Sequence, residues 1–132
     1  MNYILKNIPE RTVKPRDKGF TMVMDKGLSV RQAEDMIETC GDSVDIIKLG
    51  CATSYATNNL QKKLDVYKAA DIPFYLGGTL FEAFIARNMF DDYRRLLDKY
   101  NMETCEVSDG SIVIPSEKKC EYISTLAKDF TV

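Results

Sequence analysis

At 132 residues the chain is long enough for one domain with a sizeable core and too short for two ordinary ones. Hydrophobic residues at 45% and charged residues at 29% are an ordinary globular balance, and a net charge of -2 argues against a general nucleic-acid binder. No apolar run approaches the roughly 18 residues that span a bilayer, and residues 1–10 lack the apolar core of a signal peptide. The expectation is a cytoplasmic protein with neither nucleic acid nor membrane as partner. Histidine is absent, so chemistry must run on carboxylates, lysines, arginines and backbone. The cysteines, Cys40, Cys51, Cys105 and Cys120, form no closely spaced pair. They read as small buried hydrophobes in a reducing compartment.

In chain order, residues 1–18 form an extended lead-in that turns basic at Arg11, Lys14, Arg16 and Lys18 around Pro15. Residues 20–24, Phe-Thr-Met-Val-Met, predict a first strand bounded by Gly19 and by Asp25-Lys26-Gly27. Ser29 then opens a helix with Gln32 as its capping-box partner. Its inner face is Ala33, Met36, Ile37 and Cys40, and Gly41 ends it. Residues 44–49 predict the second strand, closed by Gly50. A helix over about 58–70 buries Leu60, Leu64 and Tyr67, and residues 73–76 predict the third strand.

Gly77-Gly78-Thr79-Leu80-Phe81-Glu82 follows directly. Thr79 and Glu82 have the spacing of a capping box, and two glycines allow positive φ or close approach to the main chain. Such a helix start suits a phosphate or carboxylate, because free N–H groups and the helix dipole point there. The plainer alternative is a turn followed by a cap. Residues 80–87 are strongly apolar, and a second helix places Phe90, Tyr93, Leu97 and Tyr100 on one side. Residues 104–107 predict the fourth strand, followed by Ser108-Asp109-Gly110-Ser111. Ser116 reads as a helix cap, with Cys120, Ile123 and Ala127 as the next inner face. Phe130-Thr131-Val132 begins what reads as a fifth strand.

Strand and helix thus alternate with the period of βα units around a parallel sheet. Right-handed crossovers gather the strand C-termini on one edge, where barrels and open sheets alike carry their functional loops. That edge collects Asp25, Lys26, Lys48, Gly50, Gly77, Gly78, Glu82, Asp109 and Gly110. A complete (β/α)8 TIM barrel takes about 250 residues. The expected fold is therefore α/β, either an open sheet or a single barrel domain represented by about its first four βα units. The half-barrel reading also predicts self-association through uncovered apolar surface.

Lys48 lies in an otherwise apolar strand, so its charge needs water, a carboxylate or an anionic ligand. It serves either as an ion-pair residue or as a catalytic one. Asp25, Glu82 and Asp109 follow the first, third and fourth strands and together suit a hard cation such as magnesium. Asp25 and Asp109 are equally good turn residues. The basic residues of the lead-in either fold over the mouth to draw in anions or are simply solvated.

The ordered set Arg11-Thr12-Val13-Lys14-Pro15-Arg16, Gly19 to Val23 with Asp25-Lys26-Gly27-Leu28, Asp45 with Lys48-Leu49-Gly50 and Thr53-Ser54, Gly77 to Glu82, and Glu106 with Ser108 to Ile112 and Ile114-Pro115 resembles the phosphosulfolactate synthase family. The resemblance covers nearly all of the chain from Arg11 onward. It implies a TIM-barrel lyase that, with magnesium, adds sulfite to phosphoenolpyruvate to give 2-phospho-3-sulfolactate, a step toward coenzyme M. By the same resemblance Lys48 and Lys26 carry the catalytic charges. Arg16, Gly77, Gly78 and Thr79 bind substrate, and Glu82, Asp109 and Asp25 hold the metal directly or through water. The partners implied are small anions. The family's plant heat-stress relatives suggest the alternative of a non-catalytic, self-associating member. Cys51-Ala52 departs from the Phe-Gly expected there, and Leu76 from the proline that often precedes the glycines. The family also continues for about as many residues again.

Overall fold

The computed structural model describes residues 3 and 5–132. β1 (Met22–Asp25) leads to α1 (Val30–Cys40) and a 3-10 turn at Gly41–Ser43, then β2 (Ile46–Leu49) and a one-turn helix α2 (Thr53–Ala56). α3 (Leu60–Ala69), β3 (Phe74–Leu76), α4 (Gly78–Ile85), α5 (Phe90–Lys99), β4 (Thr104–Cys105) and α6 (Ser116–Leu126) complete the described elements. No described helix is long and apolar enough to cross a membrane.

The sheet order is β1-β2-β3-β4, parallel throughout. The order never reverses, and right-handed crossovers that all step the same way lay every helix on one face. Burial follows that rule. Ile47, Leu49, Leu76 and Cys105 are buried against Ala33 of α1, Leu64 and Tyr67 of α3, Leu80 and Phe81 of α4, Tyr93 and Leu97 of α5 and Leu126 of α6. The alternate residues form the other face: Met22 is 45% and Met24 40% exposed, and Lys48 and Tyr75 are half-buried. In register, Met24 faces Lys48, and Lys48 faces Tyr75. The result is a mixed α/β architecture with a four-stranded parallel sheet covered on one side. Thr131 forms an isolated parallel bridge with Thr104, held by Cys105 N–H to the Thr131 carbonyl and Thr131 N–H to the Glu103 carbonyl, both at 2.9 Å. The strand expected at Phe130-Thr131-Val132 therefore begins beside β4.

Local signals held where nothing tertiary competed with them. Ser29 and Gln32 form the expected capping box of α1, with the Gln32 N–H donating to the Ser29 hydroxyl and the Ser29 N–H to the Gln32 side chain. Several expectations are corrected. The box expected at Thr79 and Glu82 does not form, because α4 starts at Gly78 after Gly77 as N-cap and Glu82 turns to another loop. Ser116 is the first helical residue of α6, and its N-cap is Pro115. Cys120, Ile123 and Ala127 are exposed, and α6 instead turns Tyr122 and Leu126 inward. Tyr122 lies 4.7 Å from the Phe90 ring and 5.7 Å from that of Phe81 by centroid. A large ring with two aromatic neighbours outweighs a stripe of small apolar groups. Of the cysteines only Cys105 is buried, and all four are free thiols. Burial pushes the Cys105 thiol up to about 11.

The described part of the lead-in has neither helix nor strand, and Arg11, Lys14 and Arg16 contact the edge of the sheet opposite the strand C-termini. Arg16 pairs with Asp45, just ahead of β2, and its Nε donates to the Thr12 carbonyl at 2.8 Å. Arg11 donates to the Thr21 hydroxyl at 2.6 Å and the Ser43 carbonyl at 2.8 Å, and Lys14 to the Gly41 carbonyl at 3.0 Å. These cations fasten the chain's start to the N-terminal edge of β1 and β2.

Phe81 is fully buried, edge-to-face with Tyr93 at 5.4 Å. Phe81→Ala is expected to cost about 3–5 kcal/mol in urea unfolding. Ile123→Ala, on the exposed face of α6, is expected to stay within about 0.5 kcal/mol. A large loss in the second variant would reverse the assignment of the α6 faces.

Candidate functional site

The C-terminal edge of the sheet holds a compact polar cluster. Lys48, from β2 on the bare face, places Nζ 2.9 Å from Glu106 Oε1 and 2.7 Å from Oε2. Glu106 follows β4 at the same parity as Thr104, which registers with Tyr75 and through it with Lys48. The pair keeps 19% and 29% of its side-chain surface exposed, so water and ligands reach it. Burial alone would lower the Lys48 ammonium, but the Glu106 hydrogen bond and charge outweigh it and the net shift is upward. Lys48 is therefore a fixed cation at neutral pH. Tyr75 is pushed up by burial and by the Glu106 charge, and stays a neutral phenol.

The glycine pair makes this cluster possible. A Cβ on Gly77 would lie 2.9 Å from Lys48 Cε and 3.0 Å from the Leu49 carbonyl oxygen. One on Gly78 would lie 2.3 Å from Ser108 Oγ and 2.8 Å from Glu106 Oε1. Neither glycine has positive φ, so close approach, and not backbone freedom, requires them. The Gly77 N–H donates to the Leu49 carbonyl at 3.0 Å. Gly78 and Thr79, the first two helical residues, keep N–H groups without an intrahelical acceptor.

Glu82 is 3% exposed, and no cation pairs with it among the described residues. It accepts from the Ser108 hydroxyl, from Gly110 N–H at 3.0 Å and from Ser111 N–H at 2.6 Å. Burial raises its carboxyl, and these donors, Ser108 first, bring the net shift below the ordinary range. The loop after β4 is thus fastened to α4 by one carboxylate.

Asp25 is fully buried on the helix face. Its Oδ2 lies 2.7 Å from Lys63 Nζ and accepts from the Tyr67 hydroxyl at 2.9 Å. Its Oδ1 accepts from Gly27 N–H at 2.8 Å and Leu28 N–H at 2.7 Å. Burial raises the Asp25 carboxyl, and Lys63, Leu28, Tyr67 and Gly27 together draw it below its usual value. Burial and the neighbouring carboxylate push the Tyr67 phenol far up.

The structure brings Lys48, Gly77, Gly78 and Glu82 together, and adds Glu106 and Ser108. It does not bring Arg16 to them. Lys26 is exposed on the β1–α1 loop and has no ion pair among the described residues. Thr79 is exposed at the start of α4, and Asp109 pairs with Lys119 at 2.9 Å. The three carboxylates read as a magnesium set are separately engaged, by Lys63, by the Ser108–Ser111 loop and by Lys119. Among the described residues no group of three His, Cys, Asp or Glu side chains could hold a metal ion. The residues present in this chain do not fit a three-carboxylate magnesium site.

Glu106 stood in the sequence motifs without a role, and strand alternation from Thr104 would have placed it opposite Lys48. Lys63 was missed because a lysine reads as solvated, although its spacing sets it on the face of Leu60, Leu64 and Tyr67. Cys51 and Ala52 both have φ of 54°, a left-handed conformation that glycine takes freely and alanine at a cost of roughly 1–2 kcal/mol.

A parallel sheet wound in one direction, with its reachable charges at the strand C-termini, defines the class as a parallel α/β protein. The family model for (2R)-phospho-3-sulfolactate synthase (ComA) matches residues 9–132, and the chain belongs to that family. It is 32% identical over 132 residues to the phosphosulfolactate synthase of Bacillus subtilis (strain 168), covering 100% of this chain and 52% of that protein. It is 38% identical over 117 residues to that of Methanothermobacter thermautotrophicus, covering 87% of this chain and 45% of that protein. For the Methanocaldococcus jannaschii protein the figures are 38% over 114 residues, 85% and 45%. The chain spans about half the length of the curated relatives it matches.

Two predictions follow from this geometry. Gly78→Ala must displace Ser108 or Glu106 and is expected to destabilise by about 1–3 kcal/mol in chemical unfolding. Asp25, Asp45 and Glu82 all titrate below their usual values. Each stabilises the fold fully above its unfolded value of about 4, and loses that contribution as pH falls through its lower folded value. The melting temperature should hold steady from neutrality to about pH 5 and fall below it. A flat profile down to pH 3 would contradict the assigned carboxylate contacts.

Proposed function

We propose that the protein containing this chain adds sulfite to phosphoenolpyruvate to give 2-phospho-3-sulfolactate, with these βα units supplying part of the site in a (β/α)8 barrel. Family membership and the relatives' names support the reaction class. The Lys48–Glu106 pair, exposed on the uncovered sheet face at the edge where barrels keep their sites, is the observation that carries it.

Sulfite attacks the terminal carbon of phosphoenolpyruvate, and negative charge moves onto the carboxylate before a proton reaches the neighbouring carbon. Lys48, held protonated, stabilises that charge as a preorganised cation. Glu106 balances Lys48 until the anionic substrate arrives, which lowers the cost of keeping an ammonium on an apolar strand. Gly78 and Thr79 N–H groups suit a carboxylate or phosphate, and Lys26 adds an exposed cation near the mouth.

The test is sulfite-dependent consumption of phosphoenolpyruvate by the intact protein, with and without magnesium, followed by the phosphorus signals of substrate and product. Turnover is expected to need sulfite, and the magnesium arm reads whether the intact protein uses a metal that the three carboxylates Asp25, Glu82 and Asp109 do not gather. Lys48→Ala is expected to lose about 10²–10³-fold in kcat, in line with removal of one preorganised electrostatic group. Full activity in that variant would remove Lys48 from the mechanism. A second reading, a non-catalytic self-associating protein in the cytoplasm, draws on the exposed Phe20, Met22 and Met24. It predicts concentration-dependent assembly in sedimentation without turnover.

A further inference from the structure

Lys63, Tyr67 and Asp25 are all fully buried, and both Lys63 and Tyr67 contact the Asp25 carboxylate. Packing alone does not account for them, since a buried ion pair is commonly replaced by hydrophobic residues at little or no loss of stability. The division of the carboxylate is the informative feature. One oxygen is held by Lys63 and Tyr67 from α3, and the other receives the Gly27 and Leu28 N–H groups of the β1–α1 loop. Asp25 therefore connects a helix to a turn that no regular structure fixes. Gly27 has φ of 103°, a conformation strained for other residues, and Thr53 of α2 packs at 3.6 Å from the place a Cβ would occupy. The Asp25 carbonyl also accepts from Gly50 N–H at 2.8 Å. Lys26, between the strand end and that glycine, is presented by a turn whose shape depends on the carboxylate.

We propose that Lys63 and Tyr67 are positioning residues of the candidate site. By holding Asp25 from the helix side they fix the turn at Gly27 and Leu28, and so set where Lys26 stands at the edge that receives an anion. The proposal rests on the reading of that edge as an anion site. It extends the site to two residues of α3 that touch no substrate.

The test compares Tyr67→Phe and Lys63→Met in the intact protein, by amide hydrogen exchange and by phosphoenolpyruvate affinity. Tyr67→Phe removes only a hydroxyl and is expected to fold, which keeps the test decisive if Lys63→Met does not. Exchange at Gly27 and Leu28 should quicken about tenfold, with Ile47 and Leu49 unchanged. Phosphoenolpyruvate affinity should fall by roughly threefold to tenfold. Exchange at Gly27 and Leu28 that is unaltered, or that changes only in step with Ile47 and Leu49, would overturn the positioning role. So would a loosened turn in a protein that binds phosphoenolpyruvate as tightly as before. Failure of the unmodified protein to bind phosphoenolpyruvate would sink the anion-site reading instead, and the loop amides would still decide whether α3 positions the turn.

Discussion

The handedness of the crossovers is the constraint on which the rest depends. A right-twisted strand followed by a helix packs back onto a sheet in one hand only, and this chain repeats that step from β1 to β4 without reversing. α1 and α3 to α6 consequently pack on one face, and the two parities of each strand acquire different chemistry. One parity carries Ile47, Leu49, Leu76 and Cys105 into the core. The other carries Met22, Met24, Lys48 and Tyr75 onto a face with no helix above it among the described residues. Lys48 tolerates its strand because that face is open and Glu106 stands opposite.

A second organising feature is the use of buried carboxylates as fasteners. Asp25 and Glu82 are both within 3% of complete burial, and both spend oxygens on backbone N–H groups of loops at the strand C-termini. A buried carboxylate is tolerable only when its lone pairs are occupied, and an N–H in a loop is satisfied only if something accepts it. Each requirement meets the other. Loops with no ladder of their own are thereby set in one shape beside the Lys48–Glu106 pair. Removing Asp25 would leave Lys63 buried without a counterion, since its ammonium finds no acceptor beyond this ion contact among the described residues. Breaking a buried pair in this way typically costs about 3–5 kcal/mol.

The opposite edge is organised by guanidinium and ammonium groups. Asp45, drawn down first by the Thr21 N–H and then by Arg16, ties β2 to β1 and the lead-in to both. Cations that read from sequence as candidates for anion capture serve there as fasteners. Separating the structural charges at one edge from the reachable pair at the other leaves the C-terminal edge free for the chemistry expected of the family.

The sequence by itself determined the alternation of strands and helices, their approximate limits, the parallel sheet, and the family, because each rests on local periodicity, local capping or ordered motifs. The Ser29–Gln32 box shows local chemistry sufficing where no distant group competes. Tertiary structure decided the partners of the charges. Glu82 has the spacing of a capping residue, yet the Ser108–Ser111 loop offers it three donors against one. Asp25 follows a strand as a turn residue would, yet its stable state depends on Lys63 and Tyr67 some forty positions away. Arg16, expected among the substrate ligands at the mouth, pairs with Asp45 at the opposite edge. Charge and hydrogen-bond partners are chosen by distance in space, and one-dimensional spacing carries that information only within a helix or a strand.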